Sequence, residues 1–158
     1  MTTEIERKFV VATLPAPEVL GPGEQLRQGY LAEEGPVEVR VRIAPSGAVL
    51  TVKAGRGLTR TEVEVPIGAA EAEALWPHTE GRRIEKVRHR VDVGGATADV
   101  DVYGGALRGL CTAEVEFGSE AAAGAFTPPA WWDREVTGED GWGNAALARH
   151  GRPPARGA

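Results

Sequence analysis

The residues able to do chemistry in this chain sit on alternate positions of short apolar segments. "TEIERKFVV" (3–11) places Glu4, Glu6 and Lys8 at every second position. The pattern returns as Glu38, Arg40 and Arg42 in "VEVRVRI", Thr51 and Lys53 in "LTVK", and Arg60, Glu62 and Glu64 in "RTEVEV". It returns again as Lys86, Arg88 and Arg90 in "EKVRHRV", Asp99 and Asp101 in "ADVDV", and Glu114 and Glu116 in "AEVEF". A strand sends successive side chains to opposite faces, so each set shares one face. Paired carboxylates suit Mg²⁺ or Mn²⁺, which take oxygen ligands and keep several waters. Clustered arginine and lysine suit phosphate oxygens, arginine in bidentate fashion. A metal-bound polyphosphate satisfies both sets.

The elements that must carry these residues are eight candidate strands, at 3–11, 24–32, 37–44, 48–54, 60–66, 83–93, 96–103 and 110–117. Turn signals separate them: "GPG" (21–23), "PSG" (45–47), "GRG" (55–57) and "GG" (94–95). "GAAEAEALW" (68–76) and "SEAAAGAF" (119–126, with Ser119 as N-cap) read as helices, "REVT" (134–137) as a short extended piece, and "NAALARH" (144–150) as a closing helix.

An outer-membrane barrel also has polar-in, apolar-out strands, but the missing signal peptide and the helices interrupting the strand series disfavour it. Two other architectures fit the alternation. One is a half-buried antiparallel sheet with its charges in water. The other is a closed eight-stranded antiparallel barrel, mainly β (α+β), whose charged face points inward and whose outer face is covered by a few helices. The charged face is nearly pure Glu, Asp, Lys and Arg, and the signs are sorted by strand. A solvent face has no need of that sorting, so the barrel is the expectation. Charges confined in a tunnel are costly unless paired, which again points to bound metal and polyanion.

The bulk numbers bound the reading. A chain of 158 residues with 42% hydrophobic and 26% charged content suits one globular domain. A net charge of −5 gives no overall basic character for nucleic acid. The single cysteine, Cys111, excludes a disulfide framework and fits a reducing compartment. No apolar signal segment or membrane-length run is visible, so the expected location is the cytoplasm, with no membrane partner. The expected organisation is one domain over 1–150 and a loose "GRPPARGA" tail over 151–158. Oligomeric state is not readable.

In order along the chain, "EIERK", "RQGYL", "VRVRI", "LTVK", "RTEVEV", "IEKVRHRV", "DVDVYGGALRGL", "AEVEF", "EVT" and "NAALA" resemble the signature of the CYTH superfamily, the triphosphate tunnel metalloenzymes. The resemblance implies an eight-stranded antiparallel tunnel and Mg²⁺- or Mn²⁺-dependent hydrolysis of a triphosphate. Short members with "EKVR"-like strands resemble inorganic tripolyphosphatases. It implies metal binding by Glu4, Glu6, Glu114 and Glu116, and a second metal supported by Glu62 and Glu64 with Asp101 nearby. It implies phosphate binding by Lys8, Arg40, Arg42, Lys53, Arg60, Lys86, Arg88 and, at the motif's edge, Arg90. Lys86, Glu62, Glu64 and Tyr30 are the expected catalytic group, Tyr30 pointing inward by parity to bond Lys86 or a phosphate oxygen. Trp142 stands where short members carry Tyr, Asp99 replaces a commoner Glu, and Ala98 an aromatic residue. Thiamine triphosphate, nucleoside triphosphates, an ATP cyclase and a non-catalytic polyphosphate-binding module are the alternatives. An RNA 5′-triphosphatase is disfavoured by the charge balance.

Cys111 is expected to pack on the outer face, Trp131 and Trp132 to pack on a barrel end, and Arg7, Arg82 and Arg83 to face solvent. Glu38 and Asp99 read equally as tunnel lining and as charge partners.

Overall fold

The computed structural model describes residues 2–56 and 58–154. Among these, eight strands close into an antiparallel barrel: β1 (Thr2–Val10), β2 (Gly23–Glu34), β3 (Val37–Ala44), β4 (Gly47–Ala54), β5 (Thr59–Ile67), β6 (Arg83–Val93), β7 (Ala96–Tyr103) and β8 (Cys111–Glu116). The order around the barrel is β1-β5-β4-β3-β2-β6-β7-β8. Two meanders, β2 to β5 and β6 to β8, are joined along β2–β6, and β1 closes the seam between them. All eight expected strands are present, with ends shifted by a residue or so. Gly94 and Gly95 both adopt positive φ, 59° and 86°, as the tight β6–β7 turn requires. The expected "GRG" turn ends at Gly57, outside the described residues, as are 155–158 of the expected tail.

Helices α2 (Ala69–Leu75), α3 (Glu120–Ala125) and α4 (Asn144–His150) match the expected ones; a short α1 (Pro17–Leu20) and two 3-10 turns, Trp76–Thr79 and Gly105–Leu107, were not read. Ser119 accepts a hydrogen bond from the Ala122 N–H, so it caps α3 as expected. Among the described residues no helix is long and apolar enough to cross a membrane.

The apolar residues lie in three groups. Outside the barrel, Val41 and Ala48 meet Ala72 of α2, with Trp76 alongside. Also outside, Phe9, Val91, Val100, Ala113 and Val115 meet Trp132, with Phe126 and Trp131 beside them. The third group is inside. Val10, Tyr30, Ile84 and Tyr103 share the inner parity and pack against Val136, Trp142, Ala145 and Leu147. This apolar cluster fills part of one end of the barrel, beside the smaller of two cavities, so the interior is not charged throughout. Trp142 therefore packs at a barrel end, together with Ala145 and Leu147 of α4.

Arg7 does not face solvent. Its side chain is largely covered and forms a bidentate pair with Glu135. A guanidinium covered by the chain needs acceptors, and the segment after α3 supplies them.

Candidate active site

The inner face of the barrel beyond the apolar cluster is a basin of charge. Two cavities, of about 900 Å³ and 240 Å³, meet at Glu6, Arg40, Lys53, Glu114 and Asn144. Glu4, Arg42, Glu62, Glu64, Arg88, Arg90, Asp99 and Glu116 line the larger; Lys8, Glu38, Arg56 and Arg60 line the smaller.

Strand register builds the centre. β1 sits between β5 and β8, with Glu4 opposite Arg60, Glu6 opposite Glu116 and Lys8 opposite Glu114. On the far wall, Arg40 lies opposite Thr51 and Tyr30, and Lys53 opposite Glu38 and Glu62. Lys53 Nζ is 3.0 Å from Glu4 and 3.4 Å from Glu62. Lys8 Nζ donates to the Trp142 carbonyl at 2.7 Å and lies 3.4 Å from Glu114. Arg42 reaches Glu64 at 4.0 Å, and Arg60 reaches Glu38 at 3.4 Å. Among the described residues the buried Arg40 Nε has no hydrogen-bond partner. A buried guanidinium with a free N–H is a costly arrangement that an anion would relieve.

The carboxylates are strained electrostatically. Burial, then the neighbouring Glu114, pushes the Glu6 carboxyl up to about 9, and the two carboxyls hydrogen-bond each other. Burial would also raise Glu114, but Lys8, Lys53, Lys86 and Arg88 outweigh it and hold Glu114 well below the usual range. Glu6 is thus the protonated member of the pair at neutral pH. Glu4 is raised by burial and by its hydrogen bond with Glu62. Two carboxyl–carboxyl contacts, Glu6–Glu114 and Glu4–Glu62, therefore flank Lys53. Two carboxylates this close share a proton, because both cannot ionise side by side. Among the described residues no three acidic, histidine or cysteine side chains converge as a complete cage. That donor set fits Mg²⁺ or Mn²⁺, which use one or two carboxylates and complete their shell with water and phosphate.

Three expected site residues are placed differently. Asp101 lines neither cavity. Its carboxylate is fully buried, 2.8 Å from Lys86 Nζ, and accepts two bonds from Arg88, from Nε at 2.8 Å and Nη2 at 3.0 Å. Both oxygens are engaged by cations, so Asp101 serves here as the counter-charge for two bases. Lys86 is likewise behind the lining, and burial lowers it to about 8 despite Asp101. Tyr30 points inward as parity requires, but its Oη accepts from Gln28 Nε2 at 2.8 Å and lies against Arg40, not Lys86. Parity fixes the face of a strand and not the depth along the tunnel. Glu38 and Asp99 are both lining and partner: Asp99 lies 3.3 Å from Arg88 and 3.6 Å from Arg90. Arg90, its side chain 77% exposed, marks the mouth. Cys111 is on the outer face beside the aromatic group.

Asn144, at the start of α4, was not read as a site residue, yet it lines both cavities. Tyr103 Oη donates to its Oδ1 at 2.7 Å, which turns the amide N–H₂ the other way. Only its place in "NAALA" hinted at this.

Residues 2–126 match the CYTH domain. The chain belongs to the CYTH family. It is 45% identical over 148 residues to an inorganic triphosphatase of Nitrosomonas europaea, a match covering 92% of this chain and 97% of that protein. It is 37% identical over 152 residues to an inorganic triphosphatase of Acetivibrio thermocellus, covering 95% and 96%. A crystal structure of an inorganic triphosphatase superposes with a TM-score of 0.69 at 42% identity, covering 94% of this chain and 96% of that one. The CYTH barrel is thus shared along nearly the whole chain, including the C-terminal segment beyond the matched domain.

Proposed function

We propose that this CYTH protein is a divalent-metal-dependent triphosphatase that cleaves inorganic tripolyphosphate to pyrophosphate and phosphate inside its tunnel. The observation that carries the reading is the lining itself: paired acids Glu4, Glu6, Glu62 and Glu114 facing the bases Arg40, Lys53 and Arg88 in one confined basin. Two relatives named inorganic triphosphatases, similar over almost their full length, support the same substrate class.

Glu4, Glu6, Glu114 and Glu116 would hold one Mg²⁺ or Mn²⁺, and Glu62 and Glu64 would support a second. Bound there, the cations supply charge neutralisation on the triphosphate oxygens and a more acidic water. Arg40, Arg42, Lys53 and Arg88 bind the phosphate oxygens, with Arg60 and Lys8 receiving the far end of the chain of phosphates and Arg90 at the mouth. Asp101 keeps Lys86 and Arg88 in place from behind. Phosphoryl transfer needs positioning and charge neutralisation more than covalent help. A water oxygen bonds to the terminal phosphorus as the bridging P–O bond breaks; the electron pair leaves on pyrophosphate, and the water's proton passes to a released phosphate oxygen. Arg88 and Lys53 stabilise that growing charge. Cys111 faces outward, so no thiol takes part.

Glu4→Gln and Glu116→Gln each remove a metal oxygen charge without changing shape. Both should abolish metal-dependent phosphate release while leaving the circular-dichroism spectrum unchanged. Full activity in both variants would refute the assignment.

A further inference from the structure

The odd residue of the opening motif is Arg7, which points away from the lumen between Glu6 and Lys8. Its surroundings link it to the tunnel through a second element. β1 pairs with β5 only over Thr2–Ile5, with one more bond from Glu6 N–H to Leu58 O. Beyond that point β5 has ended and β1 has a free edge. Residues 133–137 fill it: Asp133 N–H bonds Val10 O, Val10 N–H bonds Arg134 O, and Val136 N–H bonds Lys8 O at 2.8 Å. The filler begins a strap that runs on through Trp142 to α4.

Arg7 uses its whole fork to tie this strap to the end of α3. Nε donates to Glu135 Oε2 and Nη2 to Glu135 Oε1, both at 2.8 Å, and Nη1 donates to the Ala123 and Phe126 carbonyls at 2.8 and 3.0 Å. Its guanidinium also lies over the Phe9 and Phe126 rings. From Glu135 the chain of contacts turns inward. Thr137 Oγ1 donates to Glu135 Oε2 at 2.7 Å and accepts the Lys8 N–H at 2.9 Å. Five residues on, the Trp142 carbonyl receives the Lys8 ammonium at 2.7 Å. The strap thus grips Lys8 at its backbone and at its charge.

We infer that Arg7 and Glu135 form a positioning clamp, outside the barrel, that sets the Lys8 ammonium in the tunnel through Thr137 and the Trp142 carbonyl. This rests on Lys8 contacting the triphosphate as read above. A planar fork with fixed donors can hold two carboxylate oxygens and two carbonyls at once, which lysine cannot. Displacing a reacting-site group by about 1 Å can cost up to a hundredfold in rate.

The test is a double-mutant cycle on tripolyphosphate turnover, with Arg7→Lys (and the milder Glu135→Gln) combined with Lys8→Ala. In the wild-type background each clamp variant should lower kcat/KM by about tenfold. In the Lys8→Ala background the same change should add less than about twofold, because its target is gone. Where Lys8→Ala turns over too slowly, the same cycle is read on the Kd for tripolyphosphate by calorimetry. Thermal melts confirm that folded protein is compared. Effects that multiply across the cycle would overturn the clamp and leave Arg7 as mere support for the strap. Wild-type protein that releases no phosphate from tripolyphosphate would instead overturn the functional reading, so the two failures are distinct.

Discussion

Asp101→Asn isolates the buried triad that the tunnel wall is built on. Asp101 and Lys86 side chains are both fully buried, 2.8 Å apart, and Arg88 adds a bidentate pair to the same carboxylate. Asparagine keeps the shape but leaves two cations without their counter-charge. Breaking a buried ion pair by removing one partner costs about 3–5 kcal/mol. In a protein of this size each kcal/mol moves Tm by roughly 2–4 °C, so the drop should be about 6–20 °C. Lys86 offers partial relief, since burial already lowers it to about 8 and it can shed its proton. Arg88 cannot. The variant should therefore lie toward the lower end of that range at pH 9 and the upper end at pH 6. The assay is thermal unfolding followed by circular dichroism in EDTA, so that no metal contributes. A melting point within about 2 °C of wild type in EDTA, with a loss seen only when metal is added, would refute the reasoning and return Asp101 to the metal site.

Metal binding should release protons. Glu6 is held protonated up to about pH 9 by burial and by Glu114. A cation binds the ionised form, so Mg²⁺ affinity should rise with pH through the neutral range and level off above about 9. Calorimetry in two buffers of different ionisation enthalpy should report about one proton displaced at pH 7; none would contradict the Glu6–Glu114 pairing. The same raised carboxyl binds a proton that the unfolded chain releases near its ordinary pKa. Its contribution to metal-free stability is therefore present at acid pH and lost as pH climbs toward 9, visible as a falling Tm in EDTA. Gly29→Ala should cost about 1–3 kcal/mol, because a Cβ there would stand 2.6 Å from Thr79 in the 3-10 turn beside α2. A melt unchanged to within about 1 °C would show that this turn yields freely.

The strands and their faces were legible because a period of two needs no knowledge of the fold. "VEVRVRI" fixes which side Arg40 and Arg42 take wherever the strand lies. The ends of helices were legible at Ser119 and before Asn144 for similarly local reasons. What alternation could not give is who meets whom across the lumen. Asp99 and Asp101 carry the same pattern as Glu114 and Glu116, yet Asp101 lands beside Lys86 and Arg88 and is neutralised by them. Tyr30 has the right face, but its height in the barrel puts it in the apolar cluster beside Gln28. Arg7 was misread because charge was equated with solvent. Its partners, Glu135 and the carbonyls at 123 and 126, lie more than a hundred residues away, beyond what strand alternation can pair.

The most direct test of the account is phosphate release by the purified protein from tripolyphosphate and from ATP, each with Mg²⁺, Mn²⁺ or EDTA. Fast release from tripolyphosphate that EDTA abolishes, with little from ATP, is expected. Tight binding of tripolyphosphate without any release, in protein shown to be folded, would contradict it.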